Sequence, residues 1–77
     1  VERIKDLKPG EAAEVIGYEG NNPAYRSKLL AMGLTKGTEL KLVKVAPLGD
    51  PVEVMVRGYN LSLRKTEADI VQVRRKS

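Results

Sequence analysis

Two kinds of side chain in this sequence are placed where they could meet another molecule: large apolar groups in turns or on outward strand positions, and the cations near them. Met55 alternates with Val54 and Val56, so it is expected to point away from a core, and Leu48, between Pro47 and Gly49, is a large apolar side chain at the tip of a turn. Arg57 shares the Met55 face of the strand read over 52–57, and Arg26 and Lys28 lie on a helix surface. Apolar anchors flanked by charge suit docking on a protein partner. The bland alternative is that Leu48 and Met55 fold back under neighbouring loops.

Reaction chemistry is harder to find. The chain has no histidine and no cysteine, which removes the commonest general base and the commonest thiolate nucleophile. Carboxylates occur singly at strand edges, and serines and threonines sit in turns and strands with no partner motif. Gly33 and Gly37 enclose Lys36 without the P-loop spacing, so turns explain them better than phosphate binding does. Oxygen ligands alone remain for a metal, and they suit Mg²⁺ or Ca²⁺ better than Fe²⁺ or Zn²⁺; no loop has EF-hand spacing. No catalytic residue, metal site or cofactor is expected, and a barrel of this size leaves no interior for a substrate.

Nucleic acid is the second reading. Tyr18, Tyr25 and Tyr59 could stack on bases, and the run Arg74-Arg75-Lys76 is basic. Against this, Tyr59 shares strand parity with Leu61 and Leu63, Tyr25 falls on the apolar face of a helix, and the basic run is expected to be a solvated chain end. The 14 basic and 10 acidic residues give a net charge of +4, a moderate excess that is scattered rather than striped.

At 77 residues the chain has room for one domain with a thin core. With 42% hydrophobic residues, no Phe or Trp and no cysteine, the core must be built from Val, Leu and Ile. No apolar stretch reaches the ~18 residues of a membrane span, and Val1-Glu2-Arg3 is not a secretory signal, so a cytoplasmic address is expected.

The elements that must position these residues alternate in short units. Lys8-Pro9-Gly10 is a turn, followed by a strand from Ala12 to Tyr18 that carries Val15 and Ile16 towards the core. A helix is predicted over about 23–32, with Asn22 as N-cap, Pro23 in the first turn and Gly33 as a left-handed stop. Tyr25, Leu29 and Met32 form its apolar face. The turn glycines Gly10 and Gly37 each precede a strand, and the second, from Thr38 to Ala46, changes parity. A bulge near Leu42–Val43 would reconcile Leu40 and Leu42 with Val43 and Val45. Strands over 52–57, 59–64 and 70–73 follow, with a helical turn at about 65–69 between the last two. Five short strands and one inserted helix suggest a mainly β fold, a small antiparallel barrel of SH3-like or OB-like type. Its edge strands could pair with a second copy.

One series of segments is more specific than composition. Tyr25 to Leu34 ends in Met32-Gly33-Leu34, Gly37 follows, and then come Ala46-Pro47-Leu48-Gly49-Asp50-Pro51, Arg57 to Arg64 and Glu67-Ala68. In this order they resemble the ferrous-iron transport protein A family, the FeoA domain, from Leu7 to about Val73. The resemblance implies an SH3-like barrel with an inserted helix. It also implies a cytoplasmic accessory of ferrous-iron uptake that acts on the membrane transporter carrying a GTP-binding domain. It brings no catalytic residue. A related domain lies at the C-terminus of some metal-dependent repressors, which is the third reading.

Overall fold

The computed structural model describes residues 2–20 and 22–76. Six strands form one sheet: β1 (Glu2–Arg3), β2 (Ala12–Tyr18), β3 (Glu39–Val45), β4 (Val52–Val56), β5 (Tyr59–Leu63) and β6 (Val71–Arg75). A 3-10 turn (Ile4–Asp6) follows β1, α1 (Pro23–Ala31) joins β2 to β3, and α2 (Lys65–Ala68) joins β5 to β6. Every pairing is antiparallel, in the order β1-β6-β2-β3-β4-β5, so β1 and β5 are the edges. The sheet wraps one aliphatic core, and the extents of 29 × 27 × 24 Å are nearly equal.

Alternation decides what enters that core. Ala13 and Val15 of β2, Leu40 and Leu42 of β3, Val52, Val54 and Val56 of β4, and Val71 and Val73 of β6 are all buried. Ile16, read as a core residue with Val15, is instead the extra residue of a bulge in β2: Val15 pairs with Val73 and Gly17 with Gln72, and Ile16 is left partly exposed. The parity change in β3 is the expected bulge. Leu42 pairs with Val54 and Lys44 with Glu53, leaving Val43 as the extra residue.

The sequence echo has a structural meaning. The Gly10 N–H donates to the Leu42 carbonyl and the Gly37 N–H to the Val15 carbonyl, each at 2.7 Å. In return, Leu42 N–H reaches Glu11 and Val15 N–H reaches Thr38, each at 2.9 Å. One offset along the chain relates the two sets, so β2 and β3 are bound to each other by matching left-handed glycine turns.

Helix α1 begins where Asn22 Oδ1 accepts from the Ala24 N–H at 3.0 Å. It stops at Gly33, whose φ of +92° lets the chain reverse. Gly33 N–H bonds the Leu30 carbonyl and Leu34 N–H bonds the Leu29 carbonyl, both at 3.0 Å, which is a Schellman closure. Leu29 and Leu34 are both fully buried under it. Burial of Leu29 stabilises the helix on the sheet by roughly 2–3 kcal/mol. Met32 is partly buried, but Tyr25 is exposed: it borders a groove with Ile16 and Gln72 and does not join the packed core. Tyr59 also departs from expectation. It starts β5 at the edge and reaches across the helix end, its hydroxyl 3.4 Å from the Met32 carbonyl, while only Leu63 of that strand is fully buried.

The basic C-terminal run is not a free tail. Arg74 and Arg75 belong to β6. Arg75 is 2.9 Å from Glu2 and 3.8 Å from Glu11, and Lys76 is 3.1 Å from Glu39. Among the described residues, no helix is long and apolar enough to cross a membrane.

Candidate interaction surface

The two helix cations of the sequence reading turn out to brace the fold. Lys28 Nζ lies 2.5 Å from Glu67 Oε2, and Glu67 is only 2% exposed. The other oxygen, Oε1, accepts the Arg64 N–H at 2.9 Å, capping α2. Burial pushes the Glu67 carboxyl up, but the Lys28 hydrogen bond and the Arg64 N–H outweigh it and hold the group below its ordinary range. The ion pair therefore clips α1 to α2. The residue that sequence reasoning missed is Glu67; its only local signal is a glutamate three residues after the N-cap Arg64, the capping-box position.

Arg26 lies over the ring of Tyr18, 5.6 Å from its centroid, and the Tyr18 hydroxyl donates to the Leu34 carbonyl at 2.5 Å. Burial raises the Tyr18 phenol, and the Arg26 charge partly opposes it. Beside this pair runs a groove of about 500 Å³ between α1 and the outer face of the sheet, lined among others by Ile16, Tyr25, Ile70 and Gln72. The outward turn of Ile16 supplies part of its apolar wall.

Leu48 is 94% exposed, and the backbone around it is well fixed. Gly49 N–H bonds the Ala46 carbonyl at 2.8 Å, Ala46 N–H bonds the Pro51 carbonyl at 3.1 Å, and Asp50 Oδ1 accepts the Lys65 N–H at 3.1 Å. A large aliphatic side chain held in water on a braced turn costs solvation and gains no packing, unless something covers it. Val45, exposed at the base of the same turn, extends the apolar surface.

Met55 is 41% exposed, as its parity required, between Lys41 and Asn60 on the neighbouring strands. It lies three residues along β4 from the Leu48 turn, about 10 Å at the usual rise per strand residue, so the two do not form one patch. Arg57 is not on the face of β4. That strand ends at Val56, and Arg57 opens the two-residue turn to β5 with φ +52°. Leu48 thus stands alone at one end of the β3–β4 hairpin, Met55 and Arg57 at the other, and Arg26 and Lys28 on the helix side. Among the described residues, no three His, Cys, Asp or Glu side chains converge as a metal site would require.

Comparison with known proteins places this architecture. The family model of the FeoA domain matches residues 3–75. The Fe(2+) transport protein A/Fe(2+) transporter FeoB fusion protein of Porphyromonas gingivalis is 35% identical over 71 residues, and the match covers 92% of this chain but 8% of that protein. The solution structure of the FeoA protein from Chlorobium tepidum superposes with a TM-score of 0.87 at 38% identity, over 99% of this chain and 71% of that one. FeoA of Stenotrophomonas maltophilia, crystallised with zinc and described as a prokaryotic SH3 domain protein, superposes with a TM-score of 0.81 at 28% identity, over 96% and 91%. The fold is accordingly SH3-like, and the chain belongs to the FeoA domain family, which is linked to ferrous-iron transport.

Proposed function

We propose that this chain is a non-enzymatic, cytoplasmic accessory of ferrous-iron uptake that docks on the GTP-binding cytoplasmic part of the membrane iron transporter. The observation that carries this reading is the Porphyromonas gingivalis relative, in which a domain 35% identical to this one is continuous with the transporter. A covalent link holds two modules at an effective concentration on the order of millimolar, which is useful where they contact each other. Leu48 supplies the anchor: it is exposed, aliphatic and held on a fixed turn, so little freedom is lost when it is covered. Nucleic-acid binding has less support, because Arg75 and Lys76 are paired with carboxylates of the same chain. Capture from a native lysate of the source cells tests the proposal. The immobilised chain is expected to recover the transporter, and recovery of other proteins without it would refute the reading.

A further inference from the structure

Arg57 occupies a turn position that Asn, Asp or Gly would fill with less strain. Among the described residues it is the only non-glycine with positive φ, at +52°, and Gly58 follows at +86°. A two-residue hairpin turn with both φ values positive favours Gly, which has no Cβ to crowd the backbone, or Asn and Asp, whose short polar side chains offset that crowding by local hydrogen bonds. Such strain is commonly found where the side chain has a task of its own.

The Arg57 side chain reaches towards the loop ahead of β3. Its Nη2 is 3.5 Å from Thr38 Oγ1, which is 2.7 Å from Thr35 Oγ1. With Lys36 and Gly37 these residues line an open notch of about 550 Å³. Among the described residues, neither Arg57 nor Lys36 has a carboxylate within ion-pair distance. Glu39 also borders the notch, but Lys76 lies 3.1 Å from its carboxylate and balances that charge. Whichever of the two threonine hydroxyls donates to the other, the pair keeps one proton for a further acceptor. The guanidinium fork, the ammonium and the hydroxyl pair that line this notch can all donate hydrogen bonds. That arrangement suits an acceptor-only group with three or four oxygens better than a two-oxygen carboxylate.

We infer that this notch is an oxyanion site whose ligand is a phosphate group, either free inorganic phosphate or the phosphate chain of a nucleotide. Phosphate binding here is independent of any docking on a transporter, so its test needs only this chain. The isotope-labelled protein is titrated with sodium phosphate, and separately with ATP, by heteronuclear NMR against sodium chloride of equal ionic strength. Saturable shifts are expected at the amides of Lys36, Gly37, Thr38 and Arg57. Binding should be roughly tenfold weaker in Lys36→Gln and in Arg57→Asn, the usual cost of one charge-assisted hydrogen bond. Arg57→Asn also places a favoured residue in the turn, so its melting temperature should rise while its affinity falls. Those opposite signs separate a lost ligand contact from a damaged fold. Tighter saturation by ATP at these amides identifies a nucleotide as the source, and equal or weaker saturation identifies free phosphate. Absence of shifts beyond those of chloride, or unchanged affinity in both variants, overturns the assignment.

Discussion

Replacing Glu67 by glutamine and, separately, by alanine divides the two jobs of its carboxylate. Glutamine keeps an oxygen able to accept the Arg64 N–H, now bonded at 2.9 Å, but removes the charge facing Lys28. The Lys28 side chain is 53% exposed, so the ion pair is screened on one side and is worth about 1 kcal/mol, below the 3–5 kcal/mol of a fully buried pair. Alanine also removes the cap, worth about another 1 kcal/mol, so its cost is about 2 kcal/mol. For a domain of this size the two variants should melt about 4–8 °C and 8–16 °C below the parent at neutral pH. Urea unfolding followed by circular dichroism as a function of pH supplies the sharper test. The folded-state pKa of Glu67 is lowered, so its charge stabilises the protein fully above the unfolded carboxyl range near ~4.3. That contribution disappears as pH falls through the lower folded value. The gap between parent and Glu67→Gln should therefore narrow in acid. A gap that stays constant from pH ~7 to ~2 would refute the ion-pair account.

Gly33→Val is expected to destabilise by about 1–2 kcal/mol, since φ of +92° strains any side chain and the new Cβ would stand 3.2 Å from the Tyr59 hydroxyl; chemical denaturation measures it. Fe²⁺ should bind the isolated chain no better than weakly, because it has neither imidazole nor thiolate to offer. Anaerobic calorimetry at physiological salt checks this, and stoichiometric sub-micromolar binding would reveal an oxygen-ligand site between chains or one overlooked.

What could be read from residues alone was what neighbours in sequence decide. Asn22-Pro23 and Gly33-Leu34 mark both ends of α1 because caps are made within one turn of the chain. The bulge at Val43 followed from parity, since two apolar pairs of opposite phase cannot share a face. The outward direction of Met55 followed from alternation, whereas a turn alone left Leu48 free to be exposed or folded back, and its 94% exposure is decided by the structure. The misreadings involve distant partners. Tyr59 has the parity of Leu63, but its position depends on where α1 ends, and Arg75 looks like part of a basic tail until β6 sets it beside Glu2 and Glu11. Alternation alone puts Arg57 on a strand face because only half of the turn signal is present: Gly58 breaks the run, but the favoured Asn-Gly is Arg-Gly here. Lys28 and Glu67 are distant in sequence, and only the packing of α1 on α2 brings them together.

Docking through Leu48 is tested most directly by titrating the purified cytoplasmic domain of the transporter with the parent chain and with Leu48→Asp. The side chain is 94% exposed, so the variant should fold and melt like the parent. A covered leucine anchor is worth about 2 kcal/mol, so its affinity should fall by at least about tenfold. Equal affinity of the two proteins would move the contact away from this turn, and absence of binding by the parent chain would contradict the docking account itself.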